Sequence, residues 1–180
     1  MSRSVLLLRA VNVSGRNPVP MARLRESLAA KTDLTGVSTY IASGNIVCDE
    51  PADAAASCAR VHDLLIAEFG VDTPVIARSH AQLTASLAAQ PFAGGSERLV
   101  HAMFLAAAPA AGAVAALEER LLPGERLALV GEDLWISYPE GGVHATKLTR
   151  TVLDRALGVP GTARNLRTTA RLAELTAPDA

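Results

Sequence analysis

Four short stretches collect the side chains that could grip an anion. They are Arg9 and Asn12 leading into Gly15 and Asn17, the tripeptide Ser43-Gly44-Asn45, the lone Lys147, and the pair Arg164-Asn165. A guanidinium offers fork-shaped donors to phosphate or carboxylate, an ammonium a compact charge, and an amide donates or accepts beside them. None of the four blocks carries a carboxylate pair that could hold a metal among them, so oxyanion binding fits the residue types better than cation binding.

Each block also has a plainer explanation. The stretch VLLLRAVNVSGRNPVPM begins as a buried strand and ends at a helix start, and a glycine-containing strand-to-helix loop can aim unpaired N–H groups at an anion. It lacks both GxxxxGK[ST] and GxGxxG, so an ordinary glycine turn accounts for it as well. Pro20 suits the first helical position, which leaves Val19 as an N-cap with no side-chain acceptor. Ser43-Gly44-Asn45 has the composition of a hairpin turn. Lys147, one of two lysines against fifteen arginines, is expected in the first turn of a helix capped by Thr146, where a cation opposes the helix dipole unless an anion is near. Arg164, Arg167 and Arg171 fall at i, i+3 and i+7, which reads as one stripe of a helix, and a solvated face explains such a stripe.

Elsewhere the sequence excludes several chemistries. The four histidines are scattered, with no HxxxH or HExxH and no Cys/His cluster, so no metal and no cofactor is expected. Asp49-Glu50 and Glu132-Asp133 sit at strand ends or turns, where solvated carboxylates are expected. No Ser, His and Asp combine into a triad, and no nucleophile stands out, so no catalytic residue is assigned. Aromatics make up 3% of the chain, too few for the stacking platforms of single-strand nucleic-acid binders.

The elements that must position these residues follow from periodicity. Strands are expected at 5–11, 37–41, 46–48 and 73–77, with helices at 20–31 and 54–69. That order, β-α-β-β-α-β, suits a four-stranded antiparallel sheet of the ferredoxin-like kind. A short helix at 80–89 and a Pro/Gly-bearing loop at 91–96 precede a diverged echo: strands at 99–105, 126–130 and 134–138, helices at 110–121, 147–157 and 163–175. The fold class is therefore α+β, two related βαββαβ-type subdomains with antiparallel sheets plus C-terminal helices, divided as 1–90 and 97–180.

The 180 residues, 49% hydrophobic, suffice for a sizeable core. No stretch approaches the roughly 20 apolar residues of a membrane span, and the start lacks signal-peptide character, so a cytoplasmic protein without a membrane partner is expected. Cys48 and Cys58 follow no ligand pattern and read as reduced thiols, Cys58 on a helical face with Val61, Leu65 and Phe69. The net charge is −1, but residues 1–31 and 147–171 each carry six basic residues against one acidic, a net of +5. Brought together, those segments would make a positive site on a mildly acidic body. Kept apart, they are two solvated faces.

Taken in order, the four blocks resemble the bacterial family known as domain of unknown function 1697. Its pattern runs from an Arg-Gly-Ile-Asn start and Gly-rich turn through a Gln-Ser-Gly-Asn hairpin and a Ser/Thr-Lys pair to a Thr-x-Arg-Asn block. The chain matches at Arg9, Asn12, Gly15, Asn17, Met21, Ser43, Gly44, Asn45, Lys147, Thr162, Arg164, Asn165 and Thr168. It departs at Ala10 and Ser14, where glycine is usual, and at Ala42, where glutamine is usual. The resemblance implies an α+β fold of two related subdomains and brings no assigned activity.

Three readings remain open. The first is a small protein binding a phosphate- or carboxylate-bearing ligand in a polar cleft between the subdomains, with Arg9, Asn12, Ser43 and Asn45 facing Lys147 and Arg164; substituting either of the last two then weakens binding and spares stability. The second is a nucleic-acid-binding module built on the two basic segments. The third is a structural or interaction module whose polar residues only lock the fold. The oligomeric state is not encoded in any motif.

Overall fold

Within the run Arg3–Leu8, Val5 to Leu8 are apolar at four successive positions, the pattern of a strand covered on both faces, and in the computed structural model the run is β1, an inner strand of a four-stranded sheet. The structure describes residues 2–178. Helix α1 (Met21–Lys31) follows, then β2 (Ser38–Tyr40), β3 (Asn45–Asp49), α2 (Ala54–Phe69) and β4 (Val75–Ser79), which runs directly into α3 (His80–Ala89). The sheet order is β2-β3-β1-β4, antiparallel throughout. Leu24 and Leu28 of α1 and Val61 and Leu65 of α2, each pair spaced i, i+4, pack with Leu6 and Leu8 of β1 and Ile46 and Cys48 of β3. Full burial of each such side chain contributes about 1.5–3 kcal/mol. Helix α2 starts on the Asp53 carboxylate, which accepts from the Ala56 N–H, and stops at Gly70 in the left-handed conformation. Cys58 packs against this core, as its helical face implies.

The chain then repeats the order: β5 (Val100–Leu105), α4 (Ala113–Glu118), β6 (Arg126–Val130), β7 (Asp133–Ser137), α5 (Arg150–Leu157), β8 (Gly161–Asn165) and α6 (Leu166–Thr176), with a 3-10 turn at Gly142–His144. The second sheet, β6-β7-β5-β8, is the first one over again, and the two share a register. Val5 lies opposite Val47 and Arg78, as Ala102 lies opposite Trp135 and Arg164; Leu7 faces Asn45 where Phe104 faces Asp133. Met103, Leu105, Leu134 and Ile136 meet Leu117, Leu153 and Leu157 in the second helical core. Trp135 is fully buried, its indole N–H donating to Ser86 Oγ at 3.2 Å. The chain divides into two compact units, Met1–Thr84 with Arg171–Ala180, and Ala85–Ala170. No helix of the described residues is long and apolar enough to cross a membrane.

The α+β architecture matches the sequence expectation, with four local corrections. Residues 161–165 form β8, paired with His101 to Leu105 of β5, so the helix expected from residue 163 begins only at Leu166. Arg164 is therefore a strand residue, only 7% exposed, and the expected stripe with Arg167 and Arg171 does not exist. Helix α5 begins at Arg150 under a Thr149 cap, so Lys147 precedes the helix, and Thr146 Oγ1 accepts from Leu148 N–H in a local turn. Pro20 is the N-cap of α1 rather than its first residue. Asp133, expected in solvent, is 4% exposed on β7.

Strand and helix at residue 164 predict different stabilities. Arg164→Ala should lower the urea-unfolding free energy by about 2 kcal/mol or more, because its stem and hydrogen bonds are buried, whereas exposed Arg167→Ala should change it by no more than about 0.5 kcal/mol. Equal, small effects would return Arg164 to a solvated helix face.

Candidate functional site

The segment after β1 is a miniature hairpin held by asparagines. Its tip is Val13-Ser14-Gly15-Arg16: the Arg16 N–H donates to Val13 O at 2.9 Å, and Ser14 and Gly15 have φ of 49° and 75°. Positive φ at both central residues is what a two-residue type I′ turn requires. One step out, the Asn12 N–H donates to Asn17 O at 3.0 Å, and the Asn17 amide donates to Ala10 O at 3.1 Å. Asn12 and Asn17 themselves sit at φ of 53° and 49°, a conformation asparagine tolerates better than most residues.

The Asn12 side chain does more than close its own loop. Its Nδ2 donates to Val19 O at 2.9 Å and to Ala42 O at 2.7 Å, and its Oδ1 accepts from the Val19 N–H at 2.8 Å. One amide thus fixes the chain entering α1 and ties it to the β2–β3 hairpin. Helix α1 has no side-chain cap.

That hairpin is braced in the same way. Asn45 is fully buried and donates from Nδ2 to Tyr40 O and to Ser43 Oγ. Gly44 has φ of 80°, its carbonyl accepts from the Leu8 N–H at 2.8 Å, and a Cβ there would lie 2.6 Å from Val11 Cγ2 and 2.7 Å from Leu8 Cβ. Glycine is therefore required by both angle and space. Arg9 is 8% exposed, and its carbonyl accepts from Thr73 Oγ1 at 2.6 Å. Arg9, Asn12, Gly15, Asn17, Ser43, Gly44 and Asn45 thus belong to one neighbourhood of the first unit.

The remaining three candidates lie in the second unit. Arg164 donates to Thr162 Oγ1 and Ala163 O, both at 2.9 Å, and burial pushes its guanidinium down to about 10. Asn165 Oδ1 accepts from the Thr168 N–H and so caps α6. Lys147 is exposed on the segment before α5, apart from the β8–α6 junction in sequence and with no ion-pair or hydrogen-bond partner among the described residues.

Two further buried polar residues, Thr73 and Arg78, went unnoticed in the sequence, and a third, Asp133, was expected in solvent. Thr73 gave no signal beyond its β-branch. Arg78 is 5% exposed and donates to Ala77 O at 2.9 Å as Arg164 does to Ala163 O; the tripeptides Ala77-Arg78-Ser79 and Ala163-Arg164-Asn165, each running straight into a helix, were the visible clue. Asp133 holds the register position of Asn45. Among other ionisable groups, hydrogen bonding to Asp72 pulls the His62 imidazole up, and burial pushes His101, edge-on to Tyr138, down. Burial lifts the Cys48 thiol to about 11. Among the described residues no three His, Cys, Asp or Glu gather to hold a metal.

The left-handed residues make sharp predictions. Gly44→Ala should cost about 3 kcal/mol from overpacking and strain together, while Gly15→Ala, with nothing within 4 Å of its Cβ, should cost only about 1 kcal/mol. Ala10 and Ser14, at φ of 50° and 49°, occupy the positions where the family pattern has glycine. Ala10→Gly and Ser14→Gly should each raise the melting temperature by roughly 2–4 °C. Calorimetric scans showing both glycines destabilising would contradict the loop geometry.

Comparison with known proteins agrees with this architecture. No curated protein matches the chain. A solved structure, that of conserved bacterial protein SP0830 from Streptococcus pneumoniae, superposes with a TM-score of 0.72 at 25% identity, covering 98% of this chain and 99% of that one. Residues 1–135 match the family described as protein of unknown function (DUF1697), a span that includes the asparagine-braced loops and stops before Lys147 and Arg164. The chain belongs to the DUF1697 family.

Proposed function

We propose that the protein binds a small phosphate- or carboxylate-bearing ligand at the loop that follows β1. The observation that carries this reading is the pre-set tip. Four residues other than glycine, Ala10, Asn12, Ser14 and Asn17, hold positive φ within eight positions, and backbone strain of that density clusters at ligand sites. The asparagine amides are spent on backbone, so in this reading they position the loop and leave recognition to others. The Ser14 and Gly15 N–H groups have no acceptor among the described residues, and Arg16 is exposed without an ion-pair partner there. Successive N–H groups in a turn beside a guanidinium form a concavity suited to an oxyanion. Lys147, Arg164 and Asn165 enter this proposal only as separate polar residues of the other unit: Arg164 is buried, Asn165 caps α6 through its Oδ1, and Lys147 is exposed.

The same spent amides favour a second reading, a structural module with no ligand. The nucleic-acid reading has less support, since the basic residues of the first segment are largely engaged locally. Arg23 and Lys31 pair with Glu68, Arg3 pairs with Asp49, and Arg25 donates to Thr39 Oγ1.

Titration of the labelled protein with inorganic phosphate separates the readings. The Ser14 and Gly15 amide resonances should shift saturably, and Arg16→Gln should weaken binding about tenfold, the worth of one charge-assisted hydrogen bond, with an unchanged melting temperature. Absence of shifts at the tip selects the ligand-free module.

A further inference from the structure

Each unit has a groove between the two helices that follow its first and third strands, and the two grooves differ in charge. In the first unit, a cavity of about 290 Å³ between α1 and α2 is lined by Lys31, Arg60, Asp63, Leu64, Ala67 and Glu68. Its cations are neutralised in place: Lys31 pairs with Glu68, and Arg60 with Asp33 at 2.9 Å. In the second unit, a cavity of about 270 Å³ between α4 and α5 is lined by Ala116, Arg120, Thr151, Val152, Arg155 and Ala156. Neither Arg120 nor Arg155 has an ion-pair partner among the described residues, although the neighbouring Arg150 pairs with Asp154 one turn on.

The placement follows from helical spacing. Thr151 and Arg155 stand i, i+4 along one edge of α5, and Val152 and Ala156 stand i, i+4 beside them as the floor. Ala116 lies on the facing helix and Arg120 just past its end. A cation in the last turn of α5 also suits that helix's negative end. This accounts for Arg155 alone and leaves unexplained why a second uncompensated guanidinium borders the same apolar floor.

We propose that the α4–α5 groove is a binding site for a small organic anion. One carboxylate or phosphate head sits between Arg120 and Arg155, and a compact apolar body lies on Ala116, Val152 and Ala156. Two guanidinia without counter-charges supply the complementarity, and the groove, about 270 Å³ and open to solvent on one side, has room for a body the size of a phenyl ring. This site is independent of the loop after β1.

Phenyl phosphate is the probe, with inorganic phosphate and neutral benzyl alcohol standing in for its charged head and its apolar body, read by amide shifts and calorimetry on the full chain. The wild type should show saturable shifts at Ala116, Val152 and Ala156 with phenyl phosphate and weaker ones with either stand-in. Arg120→Gln and Arg155→Gln should each weaken binding at least tenfold, and Arg155→Lys should retain part of it. Because both arginines are exposed, unchanged melting temperatures should accompany these losses. Arg16→Gln should leave this binding untouched, so failure here and failure at the loop are separately visible. Wild-type affinity in both glutamine variants, or benzyl alcohol binding as tightly as phenyl phosphate, overturns the proposal.

Discussion

The Asn12 amide is the interaction on which the first unit's polar end depends. It joins the strand-to-helix segment to the β2–β3 hairpin through hydrogen bonds to Val19 and Ala42. The two loops can meet only because Gly44 presents no side chain to Leu8 and Val11. Amide and glycine are coupled: the close approach of backbone at Gly44 brings Ala42 O within 2.7 Å of the Asn12 amide, which donates to it. The strained residues at 10, 12, 14 and 17 persist because these contacts over-determine the loop.

A second constraint is common to both units. The fourth strand of each carries an arginine, Arg78 or Arg164, on the sheet face away from the helical core, and each donates to the carbonyl of the alanine before it. Placing a guanidinium there costs desolvation, as the depressed Arg164 pKa records. The equivalent third-strand positions, Asn45 and Asp133, are also buried and polar. The repetition lies in register and polarity rather than in residue identity, since Ala-Arg-Ser and Ala-Arg-Asn are the clearest identities it leaves.

Much of the fold was readable because apolar periodicity and turn chemistry agree over long elements such as 54–69. Strand β8 was not, because Gly161 to Asn165 lacks β-branched alternation and its arginine combined with Arg167 and Arg171 into a helical spacing. Only tertiary pairing with β5 decides that segment. The left-handed sites were readable in part: Gly15 and Gly44 announce themselves, whereas Ala10 and Ser14 hide the same backbone behind ordinary residues. Sequence also assigned Asn12, Asn17 and Asn45 to a ligand, because composition reveals an available amide but not the carbonyl that already occupies it. Arg120 and Arg155 belong to no recognisable motif; only helix packing brings them to one groove.

The loop after β1 is an amide-braced scaffold whose tip N–H groups, at Ser14 and Gly15, have no acceptor among the described residues. Native-state hydrogen exchange on the wild-type protein tests it residue by residue. The Asn12 and Val19 N–H groups, bonded to Asn17 O and Asn12 Oδ1, should be protected to the same order as the Leu8 N–H of β1, while Ser14 and Gly15 exchange at the rate of solvated amides. Uniformly fast exchange from Ala10 to Val19 would show a loose loop, and the account of the site would fall with it.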